Sequence, residues 1–117
     1  MTAITIPSRD AKYLANATYE VRHRHGLDWP YVTATVAYRK DRAPISNVQI
    51  VLGHVAATPW VAARAAQALQ SGKIDEATAK QCGELAVDGA KPLSGNAYKL
   101  QLVKTAVKRA VLATANA

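Results

Sequence analysis

The stretch Arg22-His23-Arg24-His25-Gly26-Leu27-Asp28-Trp29-Pro30 concentrates cations, an acid, an indole, a glycine and a proline within nine residues. Two readings of it are open. It can be an ordinary irregular connection between strands, with Trp29 anchored in a core. It can also be a binding loop, because loops carried on a rigid scaffold often hold function, and an indole can stack on a planar ligand. His23 and His25 stand two apart and, on a strand, could share one face for a metal ion. A zinc site would need a third ligand, His54 is the only other histidine, and Arg22 and Arg24 would repel a cation. The reading is therefore that no metal binds.

Other reactive types are sparse. Cys82 is the single cysteine. It sits in a helical stretch with no adjacent base and no C-x-x-C partner, which reads as a core thiol. One cysteine allows no internal disulfide and suits a reducing compartment. Of the eight acids, Asp75 and Glu76 read as helix-start charges, and Glu84 and Asp88 as solvated helix residues. The sequence contains no G-x-G-x-x-G, no G-x-x-x-x-G-K-[ST] and no G-x-S-x-G, so neither a phosphate-cradling loop nor a nucleophile elbow is assigned. No catalytic residue is identified.

The elements that must position the loop follow from periodicity. Ala17–Arg24 alternates loosely, with Tyr19, Val21 and His23 on one side and Glu20, Arg22 and Arg24 on the other, as a strand would. Tyr31–Arg39 is rich in Val, Thr and Tyr and forms a better strand. Lys40–Pro44 is a polar break suited to a hairpin connection. Ile45–His54 gives a third strand, with Val48, Ile50 and Leu52 on one face and Gly53 marking a bulge or an end. From Thr58 the pattern turns helical. Thr58 can cap and Pro59 can open a first helix, which runs through Gln70 and stops at Ser71-Gly72 with a left-handed glycine cap. Asp75 caps a second helix, Glu76–Val87, with Ala79, Cys82 and Ala86 inward; Gly89 and Lys91-Pro92 end it. A last helix, Ala97–Ala113, buries Leu100, Val103, Val107, Ala110 and Val111 and keeps Lys104 and Lys108 wet.

Strands followed by helices predict an α+β domain: a three-stranded, possibly four-stranded, antiparallel sheet with three helices packed on one face. The other face is left for water or for a partner. The chain has 117 residues, half of them apolar, so it can bury a core as one domain. No apolar run reaches the ~20 residues that span a bilayer, and residues 1–8 lack the pattern of a secretory signal, so a cytoplasmic location is expected, or a periplasmic one if a signal-bearing partner carries the chain. The net charge is +7. Its cations are scattered and few aromatics lie among them, which reads as a solvated basic surface or an acidic-partner surface and argues against nucleic acid.

Three segments carry a family resemblance. They are Tyr19–Arg24 through Leu27-Asp28-Trp29-Pro30 into Val32–Ala37; Val51-Leu52-Gly53-His54-Val55-Ala56-Ala57-Thr58-Pro59-Trp60, which looks like an "LGGVAPTPW" junction; and Gly89–Lys99 followed by Ala106–Ala110. In this order they resemble the C-terminal domain of the FAD-binding medium subunit of molybdenum hydroxylases, the group of carbon monoxide, xanthine and aldehyde dehydrogenases. The likeness covers roughly residues 13–112. It implies a 1–12 extension and a 13–117 domain, with the sheet in 17–54 and the helices in 59–113. It also implies a part of an oxidoreductase that is not catalytic alone. In such complexes electrons pass from a molybdenum cofactor in a large subunit, through 2Fe–2S clusters in a small subunit, to FAD. This domain would close one side of the flavin site, and two preceding domains, or a partner chain, would hold the rest of the FAD. No segment here replaces those domains, so the chain reads as a fragment or as one part of a split flavin subunit. The flavin-proximal residues carried over by position are Arg24, His25, Asp28 and Trp29: Arg24 or His25 to tune the flavin's charge, Asp28 and Trp29 to order or cover the ring. His54 could face the flavin subunit or be a satisfied strand-end histidine, and Lys91–Tyr98 reads as a structural connection. Two alternatives stay open: a free-standing or homo-oligomerising interaction module without flavin, and a basic nucleic-acid binder.

Overall fold

A computed structural model describes residues 2–5, 12–24, 26–41 and 43–116. Strands β1 (Leu14–Val21), β2 (Val32–Arg39), β3 (Ser46–Gly53) and β4 (Trp60–Val61) form one antiparallel sheet in chain order. Helices α1 (Ala63–Ser71), α2 (Glu76–Ala86) and α3 (Tyr98–Thr114) follow. The expected α+β architecture is present.

The sheet is two-faced because its residues alternate. Val32, Ala34, Val36 and Tyr38 of β2 and Val48, Ile50 and Leu52 of β3 are buried beneath the helices, together with Leu69, Val103, Val107 and Val111. Their neighbours Thr33, Thr35, Ala37 and Val51 lie half-exposed on the opposite face, where the Thr18 and Thr35 hydroxyls hydrogen-bond at 3.0 Å. Tyr38 is buried among the helices, and its hydroxyl donates to the Thr114 carbonyl at 3.2 Å, satisfying an oxygen at the end of α3. Between Ala37↔Gln49 and Arg39↔Ser46 the register slips, so that Tyr38 opposes Asn47 and Val48. Asn47 takes φ 52° at this bulge, a conformation asparagine tolerates well.

Several boundaries differ from the sequence reading. β1 begins at Leu14 and ends at Val21, so His23 and Arg24 lie outside it. No helix begins at Pro59. Trp60 and Val61 instead pair with Leu52 and Val51 as the fourth strand, and the turn of α1 starts from Ala62, without a side-chain cap. The local capping signal of Thr58 loses to hydrogen bonding along the edge of β3, which Ala62 N extends by donating to Ile50 O at 2.9 Å. Gly72 ends α1 in an extended conformation, with φ −103° and ψ 178°, not a left-handed one. Asp75 caps α2 as expected: Thr78 N donates to its carboxylate at 2.8 Å, and this bond, with the Thr78 side chain's, holds the carboxyl below its usual range. Glu84 and Asp88 are not merely solvated. Glu84 pairs with Lys104 at 2.5 Å, and Asp88 pairs with Arg64. Lys108 likewise pairs with Glu76, so the lysines of α3 reach across to α2.

Cys82 lies fully buried, with its thiol toward the Ala65 carbonyl at 3.4 Å. Burial pushes its pKa up to about 11, from 9.0. At pH 8 the folded protein is expected to resist a chromogenic disulfide reagent until it is unfolded, because the thiolate is the reactive form. The linkage sign follows from the raised value. The unfolded thiol releases its proton first, so the stabilisation is complete below pH 9 and is lost as pH rises toward 11, at up to ~1.4 kcal/mol per pH unit. Thermal melts from pH 8 to 11 should therefore fall more steeply for the native chain than for Cys82→Ala. Parallel slopes would contradict this.

Candidate functional site

The connection from β1 to β2 is a closed loop. Tyr31 N donates to Val21 O at 2.8 Å, which brings its two ends together. Within it, the Arg22 guanidinium donates to the Gly26 carbonyl at 2.9 Å and also pairs with Glu20. Gly26 has φ 126°, a conformation open to glycine and strained for other residues. The loop is thus held by its own first residue at its mid-point, and the residues beyond Gly26 are presented outward.

Arg24, Asp28 and Trp29 share one open cleft with His23 and Tyr31, about 470 Å³ in volume. Three of the four residues singled out in the sequence are therefore brought together; His25 lies outside the described residues. Trp29 is not a core anchor, since it is 83% exposed, and Leu27 beside it is fully exposed. Exposing an indole and a leucine side by side forgoes burial that would stabilise the fold by about 2 kcal/mol for each side chain, as expected of a surface that meets a ligand or a partner.

His54, read from the sequence as facing a partner or as a satisfied strand end, proves to be the loop's neighbour. Its ring lies 6.5 Å from the Trp29 indole, tilted by 57°. Its backbone is left-handed, with φ 64°, and its carbonyl accepts a 2.9 Å hydrogen bond from Lys99 Nζ on α3. A left-handed backbone is uncommon outside glycine, although histidine is among the side chains that adopt it more readily. Sequence reasoning missed His23 and Tyr31 as lining residues and Lys99 as the support of His54. Only the two-residue spacing of His23 from His25 hinted at the first of these. Among the described residues no cluster of His, Cys, Asp or Glu could hold a metal ion, and no helix is long and apolar enough to cross a membrane.

The arrangement offers a cation, an acid and two aromatic rings on one open wall. It can stack on a planar ring and favour negative charge at that ring's edge. The sequence contains no phosphate-binding glycine loop for a dinucleotide's pyrophosphate.

Known proteins share this fold. The profile of the CO dehydrogenase flavoprotein C-terminal domain matches residues 17–114. Quinoline 2-oxidoreductase from Pseudomonas putida 86 is similar over 97% of this chain and 39% of its own, at 30% identity and a TM-score of 0.80. A carbon monoxide dehydrogenase from Hydrogenophaga pseudoflava, lacking the Mo-pyranopterin moiety of its molybdenum cofactor, matches at 26% identity and a TM-score of 0.77, over 91% of this chain and 38% of its own. Reconstituted CO dehydrogenase from Oligotropha carboxidovorans shares the fold at 24% identity and a TM-score of 0.73, over 89% and 38% of the two chains. The chain thus spans about two fifths of the solved chains it matches. No curated protein sequence matches it.

Proposed function

The chain belongs to the CO dehydrogenase flavoprotein C-terminal domain family, and from that membership we propose that it forms one wall of the flavin site of a molybdenum hydroxylase. The observation that carries this reading is the meeting of Arg24, Asp28 and the exposed Trp29 in one open cleft. These residues fit one edge of an isoalloxazine ring and leave the pyrophosphate and adenosine to other domains or to a partner chain. When bound, FAD supplies the electron-accepting chemistry, taking electrons delivered from a molybdenum cofactor through 2Fe–2S clusters held by partner subunits.

The chain's own residues then have separate tasks. Trp29 lays its indole on the ring and excludes water from that face. Arg24 places a positive charge where negative charge develops on reduction. Asp28, four residues from Arg24, orients polar edges. His54 and Lys99 steady the indole from behind. Residues 13–117 act as the docking domain, with 1–12 as an extension to it, in the cytoplasm, where a lone buried thiol is at home.

The test is the assembled complex carrying Arg24→Ala and Trp29→Ala together. Flavin content should fall several-fold. The potential of the remaining flavin should move negative, on the order of 30 mV, or about 1.4 kcal/mol for a two-electron couple, because the cation that favours the reduced anion is gone. Full flavin content with an unchanged potential would remove the loop from the flavin site.

A further inference from the structure

A second cleft, about 250 Å³ in volume, lies where the segment after β3 meets the connection from α2 to α3. Leu52, Val55, Trp60, Val87, Leu100 and Val103 give it an apolar lining. Its charged lining groups are Lys91 and Lys99, and no carboxylate lines it among the described residues. We propose that this cleft receives one large apolar side chain from an acidic segment of a partner polypeptide, a role that goes beyond the flavin wall.

Size decides between a side chain and a free small molecule. Cofactor and small-molecule pockets usually run from about 300 to 1,000 Å³, and this one is smaller. It suits a single ring or branched chain. The surroundings agree. Trp60, on the wall of the cleft, is 48% exposed; Leu93, which follows the lining Pro92, is 75% exposed; and Tyr98, which precedes the lining Lys99, is 55% exposed. An anchor pocket ringed by exposed apolar groups that shed water on contact is the usual centre of a protein interface.

Charge fixes the kind of partner. The chain carries +7, and among the described residues no carboxylate pairs with Lys91 or Lys99. Lys99 spends one donor on the His54 carbonyl, which leaves its charge uncompensated. Carboxylates flanking the inserted side chain would meet both lysines, set the register of docking and speed encounter.

The experiment titrates the isotopically labelled full chain with a hexapeptide bearing one phenylalanine among glutamates, and follows backbone amide shifts. Expected are shifts at Val55, Val87 and Leu100, with affinity at least tenfold above that of the lysine-flanked or alanine-centred peptide, and a tenfold loss in Lys91→Glu. Absent binding, equal binding of any control peptide, or shifts confined to other surfaces would overturn the proposal. Benzoate binding as tightly as the peptide would also overturn it, in favour of a small-carboxylate site. Because Trp29 lies in the other cleft, either result leaves the flavin-wall reading to its own test.

Discussion

Leu69→Ala should cost the fold roughly 3–5 kcal/mol, the usual range for emptying a fully buried leucine site. The reason is the composition of α1. Its nine residues are four alanines, Arg64, two glutamines, Leu69 and Ser71, and its buried side chains are Ala65, Ala66 and Leu69. Leu69, with no exposed surface, is therefore the large apolar group that fastens α1 to β3 and α2. The helix has no side-chain cap and no acid in its first turn, so its own ends contribute little. Nine residues are also too few to be helical without tertiary support. A domain of this size has about 5–15 kcal/mol of total stability, so the loss is a large share of it. The melting temperature should drop by roughly 10–20 °C, and the α1 amides should lose hydrogen-exchange protection first. A loss below ~1 kcal/mol would mean that α2 and the sheet close over the vacancy, and that α1 is not held as described.

What the residues disclose by themselves, and what they hide, divides along physical lines. Alternation is a local signal, so β2 and β3 are legible to within a residue at most ends, and the buried set Val48, Ile50 and Leu52 follows directly from it. β1 is displaced because its inward positions include small alanines, Ala15 and Ala17, whose alternation is faint. The polar residues Arg22 to Arg24 mimic alternation beyond the true end at Val21. At Thr58-Pro59-Trp60 a sound capping signal is overruled by a pairing with Leu52, eight residues back. In the candidate site, Arg24, Asp28 and Trp29 are legible because they are neighbours in sequence. The place of His54 is not, because its contact with Trp29 joins residues 25 apart. The apolar cleft is hidden for the same reason: the connection at Lys91–Tyr98 reads as mere linkage until Val55 and Trp60 are folded against it.

Gly83 is the extreme case, since nothing in its neighbourhood marks it, and a glycine within a helix normally weakens it by about 1 kcal/mol relative to alanine. Replacing it with alanine would on that ground be stabilising. Packing reverses the sign. Gly83 is buried in α2, and a Cβ added to it would stand 2.7 Å from the backbone carbonyl oxygen of Lys104 on α3. That contact cannot be relieved by turning a side chain; the helices must separate. Overpacking of this kind costs about 1–3 kcal/mol, so Gly83→Ala should be destabilising by about 1–2 kcal/mol net, and Gly83→Val by more, its two further methyls meeting the same backbone and its branching adding a helix penalty. Separation would also stretch the bridges from Glu84 to Lys104 and from Glu76 to Lys108, although partly exposed pairs of this kind contribute less than about 1 kcal/mol each. Gly95→Ala is the control, because no atom lies within 4 Å of the place its new Cβ would take, and it should stay within ~0.5 kcal/mol of the native chain. Urea denaturation of the three variants gives the comparison directly. If Gly83→Ala proved more stable than the native chain, helix propensity would outweigh the contact, and α2 and α3 would have room to move apart that the close approach of their backbones denies.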